Sequence, residues 1–122
     1  MKRDREGRLG EGIARWRLIL AGYRIVETNY RTRYGEIDIV AKDGDDLVFV
    51  EVKTKRSKEY GQPEEAVDER KQNKITRMAL MYLTEREGGR DVACRFDVVT
   101  VDLSGMLPRV RVIPNAFEAN CQ

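Results

Sequence analysis

The stretch Gly35-Glu36-Ile37-Asp38-Ile39-Val40-Ala41, with its continuation Leu47-Val48-Phe49-Val50-Glu51-Val52-Lys53, decides the fold of this chain. In the first run Ile37, Ile39 and Ala41 alternate with Glu36 and Asp38; in the second Val48, Val50 and Val52 alternate with Phe49, Glu51 and Lys53. A period of two over such lengths predicts strands. Between them lies Asp43-Gly44-Asp45-Asp46, which is turn chemistry, with Gly44 able to take a positive φ. With Gly44 and Asp45 as the two loop residues, Asp43 opposes Asp46. Ile39 then opposes Val50, Ile37 opposes Val52, Asp38 opposes Glu51 and Glu36 opposes Lys53. A register of the other parity would set apolar residues against polar ones.

Directly opposed side chains of an antiparallel pair lie about 4.5–5.5 Å apart at Cβ. Asp38 and Glu51 at that distance, with Glu36 beside them, repel one another unless a cation or a proton intervenes. A hard divalent ion, Mg²⁺ or Mn²⁺, takes carboxylates, backbone carbonyls and waters. Asp38, Glu51 and the carbonyl of Val52 are the expected protein ligands, and Lys53 projects on the same side as Glu51. Such a group suits phosphodiester hydrolysis, with the metal activating water and the lysine stabilising developing negative charge. The competing reading is a salt-bridged, solvated sheet face. In a chain 36% charged, Glu-x-Lys recurs by chance, as it does at Glu69-Arg70-Lys71. That second copy falls in a helical pattern, where residues two apart do not share a face. The strand–turn–strand context and apolar flanks favour a site at the first copy.

At 122 residues the chain is read as one domain, 1–122, large enough to bury a core without disulfides. Its net charge is only +2, so nucleic-acid binding must rest on local patches. Two basic runs offer them: Lys2, Arg3, Arg5 and Arg8, and then Lys53, Lys55, Arg56 and Lys58 directly after the acids. Histidine is absent, which removes His-based zinc chemistry, His general bases and Ser-His or Cys-His triads. Cys94 and Cys121 are isolated, with no zinc spacing and no disulfide framework. No membrane span or signal peptide is visible, and a reduced, cytoplasmic setting is expected.

Residues 9–21 read as a helix ended by Gly22. Leu9, Ile13, Trp16 and Leu20 share one face; Glu11, Ala14 and Leu18 share nearly the opposite one. Were that second face also packed, Glu11 would be delivered near the acids. The simpler reading is a first-turn glutamate favoured by the helix dipole. Residues 23–31 read as a strand. A second helix is expected from Pro63 to Glu87, stopped by Gly88-Gly89. Its core stripe is Ile75, Met78, Ala79, Tyr82 and Leu83. Lys71 lies one turn before Ile75 on that stripe and would point along the sheet to its open end. Lys74 and Arg77 lie off it, as surface charge able to contact phosphate. Residues 95–103 read as a central strand and 109–113 as a shorter edge strand. The expected fold is α/β, a three-layer sandwich with a central mixed sheet.

The chain resembles the YraN-like bacterial family, small restriction-endonuclease-like proteins related to archaeal Holliday-junction resolvases. The resemblance spans nearly the whole chain. It rests on Gly10-Glu11 with Ala14 and Leu18, Gly22-Tyr23, Asn29, Gly35-Glu36-Ile37-Asp38, Phe49-Val50-Glu51-Val52-Lys53, Lys71, Ala79 with Tyr82-Leu83, and Phe96-Asp97-Val98-Val99. It implies Asp38 and Glu51 as metal-binding acids of a PD-(D/E)xK-type site, with Ile37 in place of the motif's proline. It also implies Lys53 as the catalytic lysine and Glu11 as a helix-borne acid joining the metal site. The expected activity is metal-dependent endonucleolytic cleavage of branched or single-stranded DNA in repair or recombination. Lys55, Arg56, Lys71 and Lys74 would bind the nucleic acid, and a homodimer is expected if junctions are cut. The alternative is a nucleic-acid-binding protein that keeps the fold without cleaving.

Overall fold

The computed structural model describes residues 5–56 and 68–117. Helix α1 (Arg5–Leu20) is followed by strands β1 (Arg24–Thr32), β2 (Gly35–Asp43) and β3 (Asp46–Lys55). Helix α2 (Glu69–Glu87) then leads to β4 (Cys94–Asp102) and β5 (Arg109–Phe117). The strands form one sheet in the order β1-β2-β3-β4-β5. All neighbours are antiparallel except β3 and β4, which are parallel, with α2 lying in the connection between them.

The β2–β3 hairpin has the expected register: Asp43 pairs with Asp46, Ala41 with Val48 and Ile39 with Val50. Gly44 takes φ 62° at the first turn position and Asp45 does not share that region, the type II′ pattern suited to strand twist. Each sheet face buries its own core. On one, Ile75, Met78, Ala79, Tyr82 and Leu83 of α2 pack on Tyr30, Val40, Phe49, Phe96 and Val98. On the other, Ala14 and Leu18 of α1 pack on Ile39, Ala41, Val48, Val50, Val99 and Val101. The architecture is therefore α/β, with helices on both faces of a central mixed sheet.

Helix α1 starts at Arg5, a turn earlier than expected, and buries the less apolar of its two faces. Ala14, Leu18 and Glu11 are buried, whereas Leu9, Trp16, Ile19 and Leu20 are exposed. Helix α2 starts at Glu69, later than expected. Asp68 is extended (ψ 175°) and its side chain accepts from the Lys71 amide, an N-cap that cannot lie inside a helix. Pro63 itself lies outside the described residues. At the other end Gly88 takes φ 65° and the Gly89 amide donates to Leu83 O (3.0 Å). Strand β5 reaches Phe117, beyond the expected Ile113. Among the described residues no helix is long and apolar enough to cross a membrane.

Candidate functional site

The site forms where β2 and β3 part. Their ladder ends at Ile39–Val50, so the expected oppositions of Asp38 with Glu51, Ile37 with Val52 and Glu36 with Lys53 are not made. Two local events account for this. Ile37 abandons the face of Ile39 and Ala41 and joins the α2-side core. Asp38, itself buried, accepts the Val52 amide on Oδ2 at 2.8 Å, replacing a rung of the ladder with a side chain. In an extended strand the N–H and C=O of one residue point to the same side. The Val52 carbonyl therefore faces the same gap.

Glu11 reaches this gap from α1. Gly10 makes the approach possible: a Cβ there would lie 2.0 Å from Thr54 Oγ1 on β3. Glu11, Glu36 and Asp38 each present a carboxylate oxygen within 4.8 Å of the others. Asn29 of β1 ties two of them, its Nδ2 donating to Glu11 Oε1 (2.9 Å) and Glu36 Oε1 (3.1 Å). It does so from a left-handed backbone (φ 55°), which asparagine tolerates better than most residues. Arg31 Nε donates to Glu36 Oε2 at 3.0 Å and offsets part of the negative charge. An all-oxygen donor set of this compactness fits a hard divalent cation such as Mg²⁺ or Mn²⁺, for which Asp38, Glu11, Glu36 and the Val52 carbonyl are the available donors.

Glu51 stands apart from those three acids, on the α2 side of β3. Its Oε1 receives Lys71 Nζ at 2.7 Å and Lys53 Nζ at 3.4 Å. Burial, together with the neighbouring Lys71, lowers the Lys53 pKa below the ordinary lysine value. Burial also works against the charge of Lys71, but Glu51 more than offsets it and leaves its pKa raised, with Asp38 contributing in the same direction. Of the remaining expected residues, Lys55 ends β3 beside Asp102, and Arg56 and Lys74 are exposed. Lys58 lies outside the described residues.

The structure thus gathers Asp38 with Glu11, and Glu51 with Lys53 and Lys71, as two halves flanking one parted strand end. Sequence reasoning set Glu36 against Lys53, whereas it belongs with Glu11 and Asp38. It also left Asn29 without a role. The available signal was an asparagine inside a strand pattern, where that residue is disfavoured.

A central mixed sheet with a helix on each face, carrying acids and a lysine on its hairpin, defines the class: an α/β, restriction-endonuclease-like protein. The family is equally definite. The uncharacterised protein family UPF0102, the YraN-like family, matches residues 10–101, and the chain belongs to it. A UPF0102 protein of Syntrophus aciditrophicus is 51% identical over 115 residues, covering 93% of this chain and 89% of its own length. The UPF0102 protein STH1475 of Symbiobacterium thermophilum is 50% identical over 117 residues, covering 94% and 98%. One from Moorella thermoacetica is 47% identical over 119 residues, covering 96% and 98%.

Proposed function

We propose that the chain is a metal-dependent DNA endonuclease of PD-(D/E)xK type. The observation that carries this reading is the convergence, at one parted strand end, of Glu11, Glu36 and Asp38 with the half-buried group Glu51, Lys53 and Lys71. Bound Mg²⁺ or Mn²⁺ would supply water activation and neutralisation of phosphate charge. Asp38 and Glu51, from the two strands, would ligate the ion, with Glu11 and the Val52 carbonyl as further oxygen donors. Lys53, drawn partly out of water, stabilises negative charge developing on the phosphate. Lys55, Arg56, Lys71 and Lys74 contact the DNA backbone, which positions a substrate without reading its bases. Branched or single-stranded DNA in repair or recombination, within the cytoplasm, is the substrate class this suits. On junctions a homodimer would supply the paired cuts.

The test is calorimetric titration of Mn²⁺ or Mg²⁺ into the wild type and Asp38→Ala/Glu51→Ala, followed by cleavage assays on branched and single-stranded DNA. Micromolar-to-millimolar binding should vanish in the double variant, and metal-dependent cleavage with it. Lys53→Ala should keep the metal yet cut about 100-fold more slowly. Undiminished cleavage by clean Asp38→Ala protein would sink the assignment. Salt-sensitive DNA binding that survives chelation, with no cleavage of any structure, would establish the non-cleaving alternative.

A further inference from the structure

Lys71 occupies an unfavourable place for a lysine. It lies in the first turn of α2, three residues after the Asp68 N-cap, where the positive end of the helix dipole opposes a cation. Its side chain is also only 35% exposed, so part of its hydration is lost. Against both costs stands Glu51, whose Oε1 lies 2.7 Å from Lys71 Nζ, with the Asp38 charge adding to the attraction. A lysine serving only to touch phosphate from the surface, as Lys74 is placed to do, needs neither arrangement. The same Oε1 already holds Lys53 Nζ at 3.4 Å, so a divalent cation reaching Glu51 meets two ammonium groups at that oxygen.

We propose that Lys71 is the built-in competitor of the metal at Glu51: its ammonium and a divalent cation contend for Glu51 Oε1, and a displaced Lys71 is left facing the phosphate. This rests on the metal-dependent reading above. Lys71 is the closer of the two ammonium groups on that oxygen, at 2.7 Å against 3.4 Å for Lys53, and so is the one a cation must displace. The pairing weakens metal binding by itself and thereby makes occupancy depend on a substrate that can receive the released ammonium.

Mn²⁺ titration by calorimetry of the full chain tests the competition without relying on activity. Lys71→Met should bind Mn²⁺ about tenfold more tightly than wild type, because a cation beside the incoming dication is gone. Arg70→Met removes a charge from the same helical turn away from the site and should stay within about twofold of wild type. Thermal melting without metal establishes that each variant is folded, and Lys71→Gln, with the same expectation, replaces a Met variant that fails to fold. If wild type binds Mn²⁺ through Asp38 and Glu51 while both Lys71 variants bind it equally or more weakly, Lys71 is no competitor, although the nuclease reading stands. If none of these proteins binds Mn²⁺, with or without DNA, both fall together.

Discussion

Tyr30 illustrates how single residues set the response of this protein to pH. It is buried against α2, its hydroxyl donates to Glu85, and Arg86 lies 5.4 Å over its ring. Burial first, and Glu85 second, push its phenol from 10.0 up to about 12. A pKa raised on folding contributes stability that is complete below the unfolded value and disappears as pH climbs through the folded one. Unfolding stability should therefore decline between pH 10 and about 12. Urea denaturation across that range should show a shallower decline for Tyr30→Phe. Some slope should remain, since burial also raises the Tyr23 and Tyr82 phenols. An identical pH profile in the variant would dissociate Tyr30 from the effect. Asn29 makes a different point at this scale. Its residue type tolerates the left-handed backbone it adopts within β1, but that its amide would bridge Glu11 and Glu36 depended on α1 and β2 arriving beside it.

Helix α1 shows why amphipathicity did not settle orientation. Its outer face carries Leu9, Trp16 and Leu20, yet the sheet receives Glu11, Ala14 and Leu18. The choice follows from approach distance: with Gly10 and Ala14 on the inner side, the helix can sit close over β3. That closeness predicts an inverted effect for Gly10→Ala. Helix propensity alone favours alanine by about 1 kcal/mol. Here the new Cβ would meet Thr54 Oγ1 at 2.0 Å, on a stiff β-branched side chain. Overpacking of this kind costs about 1–3 kcal/mol and should leave the variant less stable in urea. Because Glu11 is the next residue, Mn²⁺ affinity should fall as well. A more stable Gly10→Ala protein would show that α1 shifts freely on the sheet. Helix α2 was more legible. Its five-residue stripe packs as read, because that stripe is its sole continuous apolar face. Its start was not, because the Asp68 N-cap sets it at Glu69.

Across the whole molecule, Arg95 and Asp97 fasten four parts of the sheet at the end where the β2–β3 turn lies. Arg95 reaches Asp43 Oδ2 (2.9 Å) and Asp46 Oδ2 (3.5 Å) in the hairpin and Asp97 Oδ1 (3.1 Å) on its own strand. Asp97 accepts from the Tyr23 hydroxyl (3.0 Å) before β1 and from the Asn115 amide (3.1 Å) in β5. Asp97 is 1% exposed, so removing it leaves a guanidinium, a phenol and an amide short of their shared acceptor. Asp97→Ala should lose about 3 kcal/mol in urea denaturation. A loss below about 1 kcal/mol would mean that water replaces the carboxylate. From the sequence by itself came the hairpin and its turn-proximal register, the α2 stripe, the succession of helices and strands along the chain, and the identity of the acids and lysines. These rest on local turn chemistry and on periods that persist only while an element is regular. Tertiary structure alone decided where the β2–β3 ladder stops, which face of α1 is buried, and that Lys71 rather than Asp38 confronts Glu51. Period-two parity ceases to place side chains once Asp38 takes the Val52 amide and the strands part. An ion pair between β3 and α2 arises only when the packed sheet sets their ends side by side.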